Sequence, residues 1–199
     1  MGATLNSNTA SAADLRKRVL FVSSYHPSFP SFDLQVSGIR AALAERGFDS
    51  RKIVMDIEFM DSKRFPKSRQ IPLFRATLAK KMATLRPYDI VIVGDDNAFS
   101  FALEEQNRLF RQTPIVFLAV NNIERAVAQD KNPQVTGVVE KSSGRNTFEL
   151  IAKLFPDAPK IYIIHEEKTP TGKANTRRVR KYIEAMGSSN VEYISTSNL

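Results

Sequence analysis

The sequence predicts an α/β protein: an open parallel sheet flanked by helices. Three observations predict it. Short apolar runs alternate with longer amphipathic stretches from residue 18 onward. Most of these runs are continuous rather than alternating, as suits strands covered on both faces. Polar segments follow several of the runs directly, and in such sheets ligands bind beyond the carboxyl ends of the strands.

Val19-Leu20-Phe21-Val22 is the first strand and stops at Ser23-Ser24-Tyr25-His26-Pro27. Phe32 to Arg46 is a helix, with Leu34, Ile39 and Leu43 at helical spacing and Gly47 as its stop. Ile53 to Phe59 is the second strand, and residues 60–68, holding Pro66, form a loop. Arg69 to Leu85 is a helix with Leu73, Leu78, Met82 and Leu85 on one face, ended by Pro87. Asp89 to Val93 is the clearest buried strand and stops at Gly94-Asp95-Asp96-Asn97. Ala98 to Phe110 follows as a helix with Phe99, Leu103 and Leu109 inward. Ile115 to Val120 is the fourth strand and ends at Asn121-Asn122. A helical turn over Ile123 to Ala128 and a strand over Val135 to Val139 come next. Thr147 to Phe155 is a helix, Lys160 to Ile164 a strand ending at His165-Glu166-Glu167, and Lys173 to Met186 a basic helix capped by Gly187. A seventh strand begins at Val191.

Bulk composition narrows the function classes. The chain has 199 residues, 42% hydrophobic and 25% charged, which is ordinary globular composition. The apolar runs fall far short of the ~20 residues that span a bilayer. Cysteine is absent, so there is no disulfide, no thiol catalysis and no cysteine-ligated zinc. His26 and His165 are the two histidines. The formal charge is +8, but the basic residues are scattered and no stretch interleaves them with aromatics. Nucleic acid is therefore not the expected partner. Residues 1–15 are small and polar, and Ala10-Ser11-Ala12 fits a signal-peptidase site, so they read as a leader or signal remnant of an exported chain.

The strand-end segments carry the candidate site. The first turn lacks the glycines of a dinucleotide fold, and no P-loop is present, so no nucleotide cofactor is expected. A Gly-x-Ser-x-Gly elbow is also absent. Asp95 and Asp96 can hold a hard cation or cap the following helix. A receiver domain would need acids after the first strand, where this chain has none. Asn121 and Asn122 can hydrogen-bond a polar ligand or serve turn geometry. His26 fits a proline-flanked turn, and Tyr25 fits either a stacking contact or a ligand cleft. The first three segments converge on one crevice. Its acids and amides suit a small polar ligand with cationic or amide groups, such as an amino acid or a modified sugar. The overall charge instead favours anions by steering.

The runs RVLFVSSYHPSFPSFDLQVSGIRAAL, IEFMDSKRF, RPYDIVIVGDDNAFSFAL, TPIVFLAVNNI, VTGVVE and IYIIHEEKTPTGKA together resemble one family. They are similar to periplasmic-binding-protein-like domains of the ABC-transporter substrate-binding type, including those serving as extracytoplasmic sensors of bacterial histidine kinases and diguanylate cyclases. The resemblance implies a type I fold of two α/β lobes closing on a ligand: a first lobe over 16–139, then the crossover and an incomplete second lobe over 140–199, with a hinge near Val138-Val139-Glu140. It implies ligand contacts from Ser24, Tyr25, His26, Asp95, Asp96, Asn97, Asn121 and Asn122, and from Thr169, Thr171 and Gly172 of the second lobe. It implies no metal, no cofactor and no chemistry. The expected function is a periplasmic or extracytoplasmic sensor module that binds a small polar ligand and drives a signalling output domain. The alternatives are the solute receptor of an ABC permease and an α/β enzyme using Asp95 and Asp96. The unfinished edge near Tyr193 would also allow a dimer.

Overall fold

Runs of β-branched and aromatic residues cannot hide their side chains on one face alone, so their strands take the middle of a layered fold. The computed structural model, which describes residues 16–141, 143–168 and 170–196, shows this arrangement. β1 (Lys17–Ser23), β2 (Ile53–Phe59), β3 (Ile90–Gly94), β4 (Ile115–Val120) and β5 (Val135–Val139) form one parallel sheet in the order β2-β1-β3-β4-β5. Connections run outward in opposite directions from β1 and β3, so the crevice at their carboxyl ends is the topological switch point. The leader expected over residues 1–15 lies outside the described residues.

The helices cover both faces. On one, Leu20, Val22, Val91 and Val93 pack against Phe74 and Leu78 of α2 (Lys67–Thr84) and Phe99 and Phe101 of α3 (Asp95–Glu105). On the other, Val19, Phe21 and Ile92 pack with Val36 of α1 (Phe32–Glu45). Phe21, Phe99, Phe101 and Leu20 are fully buried. Each contributes about 1.5–3 kcal/mol from water exclusion. Gly47 takes φ 78° after α1, the left-handed conformation that ends a helix cheaply only with glycine.

Two helix faces differ from expectation. In α2 the buried stripe is Ile71, Phe74, Leu78 and Met82, while Leu73 and Leu85 are exposed. In α1 Leu34 is exposed and Val36 is buried instead. Both helices carry more apolar residues than one stripe can hold, and periodicity alone did not choose among them. α3 also begins at Asp95 rather than Ala98. It passes into a π-helical turn over Gln106–Phe110, which turns Phe110 into the core.

Beyond β5 come α5 (Gly144–Leu154), β6 (Ile161–His165), α6 (Pro170–Ala185) and β7 (Val191–Ser195). β6 and β7 pair in parallel as a separate two-stranded sheet among the described residues. Ile161, Ile163, Val191 and Tyr193 are half-buried on one face, and Tyr162, Ile164 and Ile194 are exposed on the other. α4 (Ile123–Val127) is a single short turn after β4.

Candidate functional site

Three of the four polar strand-end segments meet at the switch point, as their positions after β1, β3 and β4 require. The fourth, at His165, belongs to the second sheet. There His165 is buried beside Thr176 Oγ1 at 3.4 Å and Glu167 Oε1 at 3.5 Å.

Ser24 ties the first two segments together. Its hydroxyl donates to the Gly94 carbonyl at 2.6 Å and accepts from the Ala98 N–H at 2.8 Å. It is fully buried, so it supports the crevice and does not line it, contrary to the expected ligand contact. This also corrects the expectation that an aspartate caps the helix. Gly94 holds the cap position and no side chain of α3 caps it. The serine that follows β1 satisfies an orphan amide of α3, which follows the neighbouring strand β3.

Asp95 follows with φ 70°, a strained backbone that aspartate tolerates better than most residues. It is buried and accepts from Gln35 Nε2 at 3.2 Å. Burial pushes its carboxyl from the ordinary 3.8 up to about 6, and Asp96 and Glu140 add to the rise, while Gln35 and Lys63 oppose it. Burial likewise raises the Tyr25 hydroxyl well above its usual range, with Asp95 and Asp96 adding to the effect.

The buried carboxylate has a consequence for stability. Between about pH 4 and 6 the folded chain keeps a proton that the unfolded chain has released. Stability therefore falls as pH rises through that window, by about 3 kcal/mol, and the penalty stands in full at pH 7. Asp95→Asn is expected to be more stable than the parent at pH 7.5 and to lose the slope between pH 4 and 6. Urea unfolding across that range measures both, and a variant no more stable at pH 7.5 would refute the assignment.

Asp96 is a brace. Its Oδ1 accepts from the backbone N–H groups of Asn121 at 3.2 Å and Asn122 at 3.0 Å, which fixes the turn after β4. Asn122 in turn caps α4, accepting from Arg125 N–H at 3.0 Å, with φ −80° rather than a left-handed conformation. Asn121 donates its amide to Glu140 Oε2 at 3.2 Å. Asn97 bridges Ser62 Oγ and Lys67 Nζ, both at 2.7 Å. Burial lowers the Lys67 ammonium pKa, which Asp96 partly offsets. Tyr25 packs on Phe29 in a tilted arrangement at 4.1 Å, and His26 meets the same ring edge-on at 6.0 Å. Lys63 lies over both the Tyr25 and Phe29 rings at about 4.5 Å.

The second sheet supplies the opposite wall. Arg178 of α6 donates to the Asn121 carbonyl at 2.7 Å, and Arg177 approaches Glu124 at 4.0 Å. Between them is a cleft of about 290 Å³, bounded by Asn121, Asn122 and Glu124 on one side and by Lys173, Arg177 and Lys181 on the other. A smaller cleft of about 240 Å³ adjoins it across Asn122 and is lined by Asp96, Asn97, Lys67 and Arg125. Gly172, the third residue of α6, lies so close to Glu166 that an added Cβ would meet the Glu166 carbonyl oxygen at 2.1 Å. Thr169 lies outside the described residues, and so does the side chain of Thr171.

Asp96 lines the smaller cleft, and in the larger cleft the α6 wall is basic, with Lys173, Arg177 and Lys181 facing Glu124 and the two asparagines. Gln35, Lys63 and the α6 cations were missed because no local motif marks them; only the topology brings helix positions onto strand ends. Among the described residues no group of three His, Cys, Asp or Glu side chains could hold a metal ion.

A family model described as ABC transporter substrate binding protein matches residues 23–198. A search of curated proteins found no match. Solved structures similar to the chain include a conserved domain protein from Vibrio cholerae, at TM-score 0.67 and 13% identity. The ABC domain from Streptococcus pneumonia in complex with L-Trp gives TM-score 0.65 and 20% identity. A ligand-free, open substrate binding protein with adhesive properties from Clostridium difficile gives 0.60 and 16%. They cover 90%, 91% and 90% of this chain respectively. The chain spans 57% of the length of each. The five-stranded sheet with its flanking helices matches the type I periplasmic-binding-protein fold.

Proposed function

The chain belongs to the ABC transporter substrate binding protein family, and we propose that it binds a small polar ligand, without chemistry, in the cleft between the Asn121–Asn122 turn and α6. The observation that carries this reading is the double hold on that turn. Asp96 fixes it from the first sheet, and Arg178 reaches it from the second. A ligand seated there touches elements of both sheets at once. The two sheets act as lobes over 16–139 and 140–199, hinged near Val138-Val139-Glu140. Binding then favours the closed arrangement by its differential contacts.

The L-Trp complex of the streptococcal relative supports a ligand the size of an amino acid. The family supports an extracytoplasmic setting with an ABC permease as partner. Use as a sensor would rest on the same closure, read by a signalling output domain. Among the described residues, no helix is long and apolar enough to cross a membrane.

Asp96→Ala tests the reading. It releases the two amides that shape the turn, and ligand affinity is expected to fall roughly tenfold or more. The folded thermal transition is expected to persist, because the core clusters are untouched. Thermal shift with a panel of amino acids and sugars, followed by calorimetry on the hits, measures this. A panel in which nothing shifts the parent, or a variant without a folded transition, would sink it.

A further inference from the structure

Helix α6 carries Lys173, Arg177 and Lys181 at four-residue intervals, and all three line the larger cleft. That spacing stacks them on one helix face over about 12 Å. Like charges at this spacing destabilise a helix when nothing offsets them. What offsets them here is slight. Arg177 has Glu124 at 4.0 Å, a rim acid that is 80% exposed. Lys173 and Lys181 have no ion-pair partner among the described residues. The adjoining Arg178 is committed to the Asn121 carbonyl.

The acids that could have balanced the stripe are engaged elsewhere. Asp95 is held by Gln35, Asp96 by the Asn121 and Asn122 amides, and Glu140 by the Asn121 side chain. A concave site with basic walls concentrates anions, because low-dielectric walls focus the field. The Asn122 side chain, on the opposite wall, can add an amide donor.

We propose that the ligand carries an anionic group, a carboxylate or a phosphate, and that Lys173, Arg177 and Lys181 are its counter-ions. This rests on the ligand-binding reading above and narrows it to a charge class. The +8 formal charge then acts in the same sense as the cleft, drawing anions toward it.

The test uses the whole chain at low salt. Inorganic phosphate, citrate and L-glutamate are titrated by calorimetry and thermal shift, against agmatine, which has the guanidinium of arginine without its carboxylate, and a neutral sugar. Lys173→Gln/Lys181→Gln removes the two unpaired cations, both exposed, so folding is not at stake. Lys80→Gln/Lys131→Gln makes the same change in net charge at exposed positions outside both clefts. The expected result is binding of at least one anionic probe that added salt weakens. The cleft variant loses it roughly tenfold or more, and the control variant keeps it. The phosphate and carboxylate arms separate the two anion chemistries. Binding of agmatine or the sugar alone, or anion binding equal in both variants, would overturn the inference and leave ligand binding standing. No binding by any probe would overturn both.

Discussion

Gly137→Ala is expected to destabilise the protein by about 3 kcal/mol or more, the upper range for overpacking. Gly137 pairs with Phe117 across β4 and β5. A Cβ there would sit 2.1 Å from the Phe117 carbonyl oxygen and 2.6–2.7 Å from its ring carbons. Neither neighbour can yield cheaply. The carbonyl belongs to a central strand, and the ring is buried and packs on Phe99 at a centroid distance of 4.6 Å. β4 is already distorted just beyond, with a register shift between Phe117 and Val120 and φ 55° at Ala119. Relief must therefore come from separating β5, and β5 delivers Glu140 to Asn121. Urea unfolding with an unchanged m-value is the measurement. Gly38→Ala is the matched control, because its Cβ would meet nothing within 4 Å. A loss below about 1 kcal/mol at Gly137 would show that the strand pair accommodates the methyl group.

How the sequence could foretell the sheet and not the site follows from the range of the forces involved. Strands such as Ile115–Val120 are written in contiguous residues, because a strand buried on both faces must be apolar throughout. Their order follows from connection rules. The convergence of Tyr25, Asp95 and Asn121 followed from those rules as well. The direction in which each side chain points did not. Asp95 and Asp96 are adjacent and chemically identical, yet one reaches Gln35 of α1 and the other the turn after β4. Ser24 reads as a strand-end ligand contact and is instead the cap of a helix that starts 71 positions later. Partners that distant leave no periodic trace.

Gly172→Ala is expected to abolish most ligand binding while leaving the first sheet intact. Gly172 is the third residue of α6, and its Cβ would stand 2.1 Å from the Glu166 carbonyl oxygen and 2.5 Å from Glu166 Oε2. The side-chain oxygen can move aside. The carbonyl is backbone just past β6 and cannot, so the first turn of α6 must back away from it. A helix moves as a unit, and displacement of its first turn carries Lys173, Arg177 and Arg178 with it. The Arg178 hydrogen bond to the Asn121 carbonyl, at 2.7 Å, has little slack to follow. Losing one charged hydrogen bond and misplacing the neighbouring cations weakens binding roughly tenfold to a hundredfold. The stability loss, about 1–3 kcal/mol, falls on the second sheet. Amide hydrogen exchange read by mass spectrometry resolves this pattern. Exchange is expected to speed up over α6 and β6 while β1, β3 and β4 keep their protection. If exchange changes nowhere and affinity holds, Glu166 relaxes without moving the helix, and the placement of α6 against the Asn121 turn does not depend on Gly172. If β1 and β3 also lose protection, the two sheets fold as one cooperative unit, and the hinge between them has to be sought elsewhere than Val138–Glu140.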